Sequence, residues 1–102
     1  METNNYFLSD ALAEGGYMVS PQITAMKIKT YYAGDVDASL GDKIRIDNHE
    51  CTVLAFISDR ELLDQGIYAM PEIMVVRRDD GADLSYDLQS IKEGDHEVFP
   101  CE

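Results

Sequence analysis

Histidine and cysteine are the scarcest chemistry-bearing residues of this chain, two of each, and they fall into two neighbourhoods: His49 with Cys51, and His96 with Cys101. Residues two apart on a strand share a face. If a last strand ran beside the one holding His49 and Cys51, two imidazoles and two thiolates would meet as a tetrahedral zinc site. The spacings H-x-C and H-x4-C are not those of zinc fingers, and Pro100 would have to turn Cys101 back. The simpler reading makes Cys51 a small buried hydrophobe, the histidines surface residues and Cys101 part of a frayed end, with no metal bound. Asp35, Asp37 and Asp42 look at first like a calcium loop, but glycine stands at the seventh position of that run and Ile46 where the bidentate glutamate belongs. The glycines fit turns and a helix end and form no phosphate-binding loop. A Ser or Cys nucleophile would need a base beside it, and the only imidazoles are those of His49 and His96. Paired carboxylates are uninformative in so acidic a chain. No catalytic residue and no cofactor is expected, and the chain reads as a binding protein, not an enzyme.

Charge is the loudest signal. Twenty acidic residues stand against eight basic ones, a formal net charge of -12 on 102 residues. Such a chain repels nucleic acid and anionic membrane and attracts basic surfaces. Within 79–97 the acids Asp79, Asp80, Asp83, Asp87, Glu93, Asp95 and Glu97 meet a single lysine, Lys92. Asp83, Ser85 and Asp87 are expected to point outward from one strand, with alternate residues about 6.6 Å apart, comparable to successive phosphates of a nucleic-acid strand. The basic residues gather at Lys27, Lys29, Lys43 and Arg45, with Arg77 and Arg78 just before the acidic stretch. Asp79, Asp80, Asp83, Asp87, Glu93 and Asp95 are therefore the candidate binding residues, acting as negative partners for Lys or Arg on a protein with a basic surface. In size, charge and apparent independence from cofactors the chain is similar to nucleic-acid-mimicking inhibitors, among them phage-encoded inhibitors of defence enzymes and immunity proteins of nuclease toxins. The resemblance implies inhibition or regulation of a DNA- or RNA-acting protein, without direct binding of nucleic acid. The alternative is a structural or adaptor component of a larger assembly, such as a virion or secretion machine, docking through apolar surface at residues 1–22 and around Ile67, Tyr68 and Met70.

The elements that must position these residues are mostly strands. Residues 1–22 contain no Lys or Arg; Tyr6, Leu8, Ala11 and Leu12 line one face of a short helix that Gly15-Gly16 would end, an N-terminal appendage to a domain over 23–102. From Thr24 the period becomes two, with Met26, Ile28 and Thr30 on one side of a strand. Ala33-Gly34-Asp35 and Leu40-Gly41-Asp42 bound a loop. Lys43–Asp47 alternates with Ile44 and Ile46 inward, Asn48-His49-Glu50 turns the chain, and Cys51–Ile57 reads as a central strand. Ser58 and Glu61 have the spacing of a capping box before a short helix closed by Gly66. Ile73–Arg78 is a further strand, Asp79-Asp80-Gly81 a tight turn, and Ala82–Leu88 a strand with Leu84, Tyr86 and Leu88 inward. Gln89-Ser90-Ile91 fits a single 3₁₀ turn, and His96–Phe99 a last short strand stopped by Pro100.

This mainly β pattern resembles a small SH3-like barrel of about five strands with a short helical insertion, although an OB-like barrel or an open α+β sheet would read almost the same way. The Leu40–Ile44 strand entry, the Asp79-Asp80-Gly81 turn and Ser90-Ile91 before the last strand carry the resemblance, which spans roughly residues 24–99. It implies peptide, protein or nucleic-acid binding. No run is long enough to cross a bilayer, and the N-terminus lacks the basic and apolar regions of a signal peptide. A cytoplasmic chain with two free thiols is therefore expected.

Overall fold

A computed structural model describes residues 16–20, 23–67 and 70–101. Its chain is mainly β, eight strands and two short helices among the described residues. The strands are β1 Tyr17–Val19, β2 Ala25–Thr30, β3 Gly34–Ser39, β4 Lys43–Ile46, β5 His49–Asp59, β6 Ile73–Arg78, β7 Asp83–Asp87 and β8 Val98–Pro100. The helices are α1, Arg60–Asp64, and α2, Leu88–Glu93. The main sheet runs β7-β6-β5-β4-β8, with β1 joined to the far end of β5, and β2 and β3 form a separate hairpin. All pairings are antiparallel.

Alternation explains most of this. Ile28 lies opposite Val36 and Met26 opposite Ala38, so the hairpin has one apolar face. That face closes over the main sheet, where Ile44, Ile46, Cys51, Val53, Phe56, Met74, Val76 and Val98 point toward it, and Ile91 of α2 completes the core. On β5 the inward residues are Cys51 and Val53, then Phe56 and Ser58, because the register shifts between Val53 and Ala55. An extra residue on one strand flips the parity of everything after it. The bulge, together with burial of Ile57 on the opposite face, makes residues 51–57 read as a continuous apolar run. Ile57 and Val75, also fully buried, lie outside the main cluster and, by parity, on the other face of the sheet.

Several expectations need correcting. The segment between Gly34 and Ser39, expected as loop, is β3. Its alternation is genuine, but Val36 and Ala38 are its only inward apolar residues, and its aspartates suggest a turn. Tyr17–Val19, within the expected appendage, pairs with Ile57–Asp59. The helix expected earlier in that segment lies outside the described residues. Ser58 does not cap α1. It is buried on β5, where its hydroxyl meets that of Ser20, and the N-cap is Asp59, which accepts from the N–H groups of Glu61 (2.9 Å) and Leu62 (3.3 Å). The expected 3₁₀ turn at 89–91 is the α-helix α2, capped by Asp87 and closed by Gly94 in the left-handed conformation (φ 96°). Finally, the sheets stay open: among the described residues no barrel closes, and the five-stranded SH3-like barrel is replaced by a five-stranded path with β7 and β8 as its edges, plus β1 and the hairpin.

Candidate protein-binding surface

The topology collects acids at one end of the sheet. β4 and β6 both run toward that end, because each is antiparallel to β5, so the turns that follow them lie side by side. β8 is antiparallel to β4 and therefore begins there, preceded by Asp95-His96-Glu97. The first turn is Asp47-Asn48, both at positive φ (48° and 70°). That is the type I′ geometry favoured in two-residue hairpins, and Asp and Asn are the non-glycine residues that tolerate it best. The second is Asp79-Asp80-Gly81, closed by bonds from Arg78 N–H to Ala82 C=O and from Gly81 N–H to Arg78 C=O, both 2.8 Å.

Side chains tie the two turns and the segment before β8 together. His49 Nδ1 meets Asp79 Oδ1 at 3.2 Å, and His96 Nδ1 meets Asp47 Oδ2 at 2.8 Å. Asp47 Oδ1 also accepts from the Glu97 N–H at 2.9 Å, while the Asp47 N–H donates to Glu97 C=O at 2.8 Å. Partial burial pushes the Asp47 carboxyl up, but the hydrogen bonds from His96 and Glu97 outweigh it and hold the group below the usual aspartate range. The His96 and Tyr86 rings meet edge to face, centroids 4.9 Å apart. Asp47, Asp79, Asp80, Asp95 and Glu97, all exposed, thus share this end of the sheet with Arg78 and the chain's two histidines.

The six sequence-derived candidates occupy different roles. Asp79 faces His49. Asp80 accepts from Nε and Nη2 of Arg78 and from Ala82 N–H at 3.1 Å. Asp83 does not stand free. It lies opposite Arg77 in the β6–β7 register, accepts 2.7 and 3.1 Å bonds from that guanidinium, and its side chain is only 13% exposed. Asp87 caps α2, accepting from Gln89 N–H at 2.8 Å, and Glu93 accepts from Gln89 Nε2 at 3.0 Å. Asp95 is exposed, with its N–H donating to Ser90 C=O at 3.0 Å. The turn end unites Asp79 and Asp80 with Asp95, and Asp83 and Asp87 serve the fold farther along β7. Asp47, which sequence reasoning passed over, belongs with the first group; a meander of β4–β5 and β6–β7 hairpins places its turn beside Asp79.

One consequence is measurable. Hydrogen bonds from Arg78 and Ala82 hold the Asp80 carboxyl down from 3.8 to about 2. A group whose pKa is depressed by folding contributes stability that is present above its unfolded pKa and lost as pH falls through its folded one. Asp80→Asn is therefore expected to lower the urea midpoint at pH 6, with the gap to the parent protein closing between 3.8 and about 2. A gap that persists unchanged at pH 2 would refute the attribution.

The metal-like residues are placed apart. The histidines bond to different aspartates, the Cys51 thiol donates to His49 C=O (3.5 Å), and Cys101 Sγ lies 3.6 Å from Glu50 Oε2. Burial pushes the Cys51 thiol up, away from the thiolate a metal would need. Among the described residues no three His, Cys, Asp or Glu side chains gather as a metal site. Asp35 and Asp37 lie on β3 opposite Lys29 and Lys27, the latter pair at 2.9 Å, and Asp42 accepts from Ser39 N–H. An open depression of about 660 Å³ beside α1 is lined by Gly16, Tyr17 and Asp59–Glu61 with Asp64 and Gln65. Its carboxylates are largely committed, Asp59 to capping and Asp64 to Arg60 at 3.5 Å.

No protein-family model, curated protein or solved structure matches the chain. Function must be argued from the surface itself. No helix among the described residues is long and apolar enough to cross a membrane.

Proposed function

We propose that the chain is an acidic protein-binding module that occupies a basic surface of a DNA- or RNA-acting protein and so inhibits or regulates it. The observation that carries this reading is the convergence of two acidic turns and the acidic segment before β8 at one end of the sheet, where five aspartates and glutamates are exposed. With the molecule at -12 overall, encounter with a cationic groove is electrostatically steered, fast and salt-sensitive. Hydrogen bonds hold the turns in fixed positions, so little ordering entropy opposes binding.

The test is a pull-down from cytoplasmic extract with parallel baits, the parent chain and a triple variant, Asp79→Lys, Asp95→Lys and Glu97→Lys. These positions are exposed, and unlike Asp83 and Asp87 they neither pair with a shielded arginine nor cap a helix. A nucleic-acid-acting protein is expected on the parent bait only, released at moderate salt and displaced by added DNA or RNA. Equal capture by both baits, or capture indifferent to salt, sinks the proposal. A second reading, an assembly component docking through apolar surface, draws support from the exposed side chains of Ile67 and Met70, and salt-resistant capture is its signature.

A further inference from the structure

Three aromatic rings lie exposed beside the C-terminal cap of α2. Tyr31 is 67% exposed, Tyr32 49% and Phe99 37%. They form a continuous patch: Tyr31 and Tyr32 meet edge to face with centroids 5.1 Å apart, and Tyr32 and Phe99 lie tilted at 6.4 Å. The fold holds them in place. Tyr31 and Tyr32 sit in the β2–β3 turn, which Thr30 braces by donating to Gly34 C=O (2.7 Å) and accepting from Ala33 N–H (3.0 Å). Tyr32 Oη donates to Gly94 C=O at 3.3 Å. The Tyr31 ring lies so close over Gly94 that a methyl group there would stand 3.1 Å from it. A helix cap, a glycine and a tight turn thus combine to present two tyrosines to solvent. Pre-positioned Tyr is the residue type that interfaces use as anchors.

The surrounding charges say what the patch takes. Exposed Glu93 and Asp95 flank Gly94, the residue on which both tyrosines rest, Asp35 follows the tyrosine turn, and Glu97 precedes β8. Lys29 and Lys92 lie nearby along the chain, Lys29 across from Asp35, and Arg45 lies across from Phe99, so four acids meet three bases and the local sign is weakly negative, the same sign as the molecule's -12. Aromatic faces beside carboxylates are complementary to a guanidinium, which stacks on the ring while its N–H groups reach the acids. We infer that Tyr31, Tyr32 and Phe99 form a docking site for an arginine-bearing segment of a partner protein. This rests on the proposed binding of a basic partner and adds a second, stacking contact to the acidic turns.

Titrating the uniformly ¹⁵N-labelled full chain with a tetra-arginine peptide, and separately with tetra-lysine of equal charge, tests it by NMR. Tetra-arginine is expected to shift amides at 31–34, 93–95 and 98–99 together with the tyrosine rings, and to bind about three- to tenfold more tightly than tetra-lysine. Tyr31→Ala with Tyr32→Ala should abolish that preference, as should Phe99→Ala in part. Equal affinity for the two peptides with shifts confined to 47–49, 79–81 and 95–97 overturns the aromatic site and leaves the acidic surface standing. The absence of shifts with either peptide overturns both. The wild-type map decides the matter even if a tyrosine variant fails to fold.

Discussion

Phe56→Ala is expected to remove about 3–5 kcal/mol of stability, a large part of what a domain this size possesses. Phe56 is 1% exposed on β5, the strand that pairs with β1, β4 and β6, and it lies opposite Met74 just past the bulge. The chain on both sides is held in place: Ser20 N–H donates to the Phe56 carbonyl at 2.8 Å, and Ser58 is locked to Ser20 two residues on. Such a site relaxes poorly around a cavity, which places the cost toward the upper part of the range. The internal control is Phe99→Ala, where the ring is 37% exposed and the same change should cost under about 1 kcal/mol. Urea melts of both variants decide the matter, and equal losses would mean that the core does not lie where described.

The second large effect concerns Gly94. At φ 96° any L-residue pays for the left-handed conformation, about 1–2 kcal/mol. The methyl group of alanine would also stand 3.1 Å from the Tyr31 ring. Gly81 has nearly the same backbone angle, φ 92°, with nothing within 4 Å of the added carbon. Gly94→Ala is therefore expected to destabilise by about 1 kcal/mol more than Gly81→Ala, the excess being the cost of crowding the ring. It should also move the Tyr31 and Tyr32 ring resonances, which Gly81→Ala should leave in place. Equal losses from the two variants would mean that the tyrosine turn yields easily, and an anchor that yields is a poor one.

Where sequence reasoning succeeded, it did so through alternation. Met26, Ile28 and Thr30 on β2, Ile44 and Ile46 on β4, and Leu84 and Tyr86 on β7 all face the core side as their period implies. It failed where one residue served two patterns. Asp87 ends the alternation of β7 and caps α2, so reading it as an outward strand residue hid the helix. Ser58 and Asp59 are both plausible caps, and only the bulge on β5, which turns Ser58 inward, decides between them. β3 was hidden because its pairing, not its composition, makes it a strand: Lys27 and Asp37 face each other across the hairpin. The acidic stretch was legible as charge but not as a surface. Which acids are shielded depends on the β6–β7 register that sets Arg77 against Asp83, and Asp47 joins them only through its turn.

The place of β8 has a consequence for synthesis. β4 lies between β5 and β8, and Ile46 pairs with both His49 and Val98. On a ribosome β4 would find its first neighbour almost at once and then keep one backbone edge open until the segment at 98–100 emerged. An open edge invites pairing with another nascent chain. Lys43 and Arg45 point away from the core on this strand, between the buried Ile44 and Ile46. Two cations on a four-residue strand would oppose such pairing during that wait, as gatekeeper residues do.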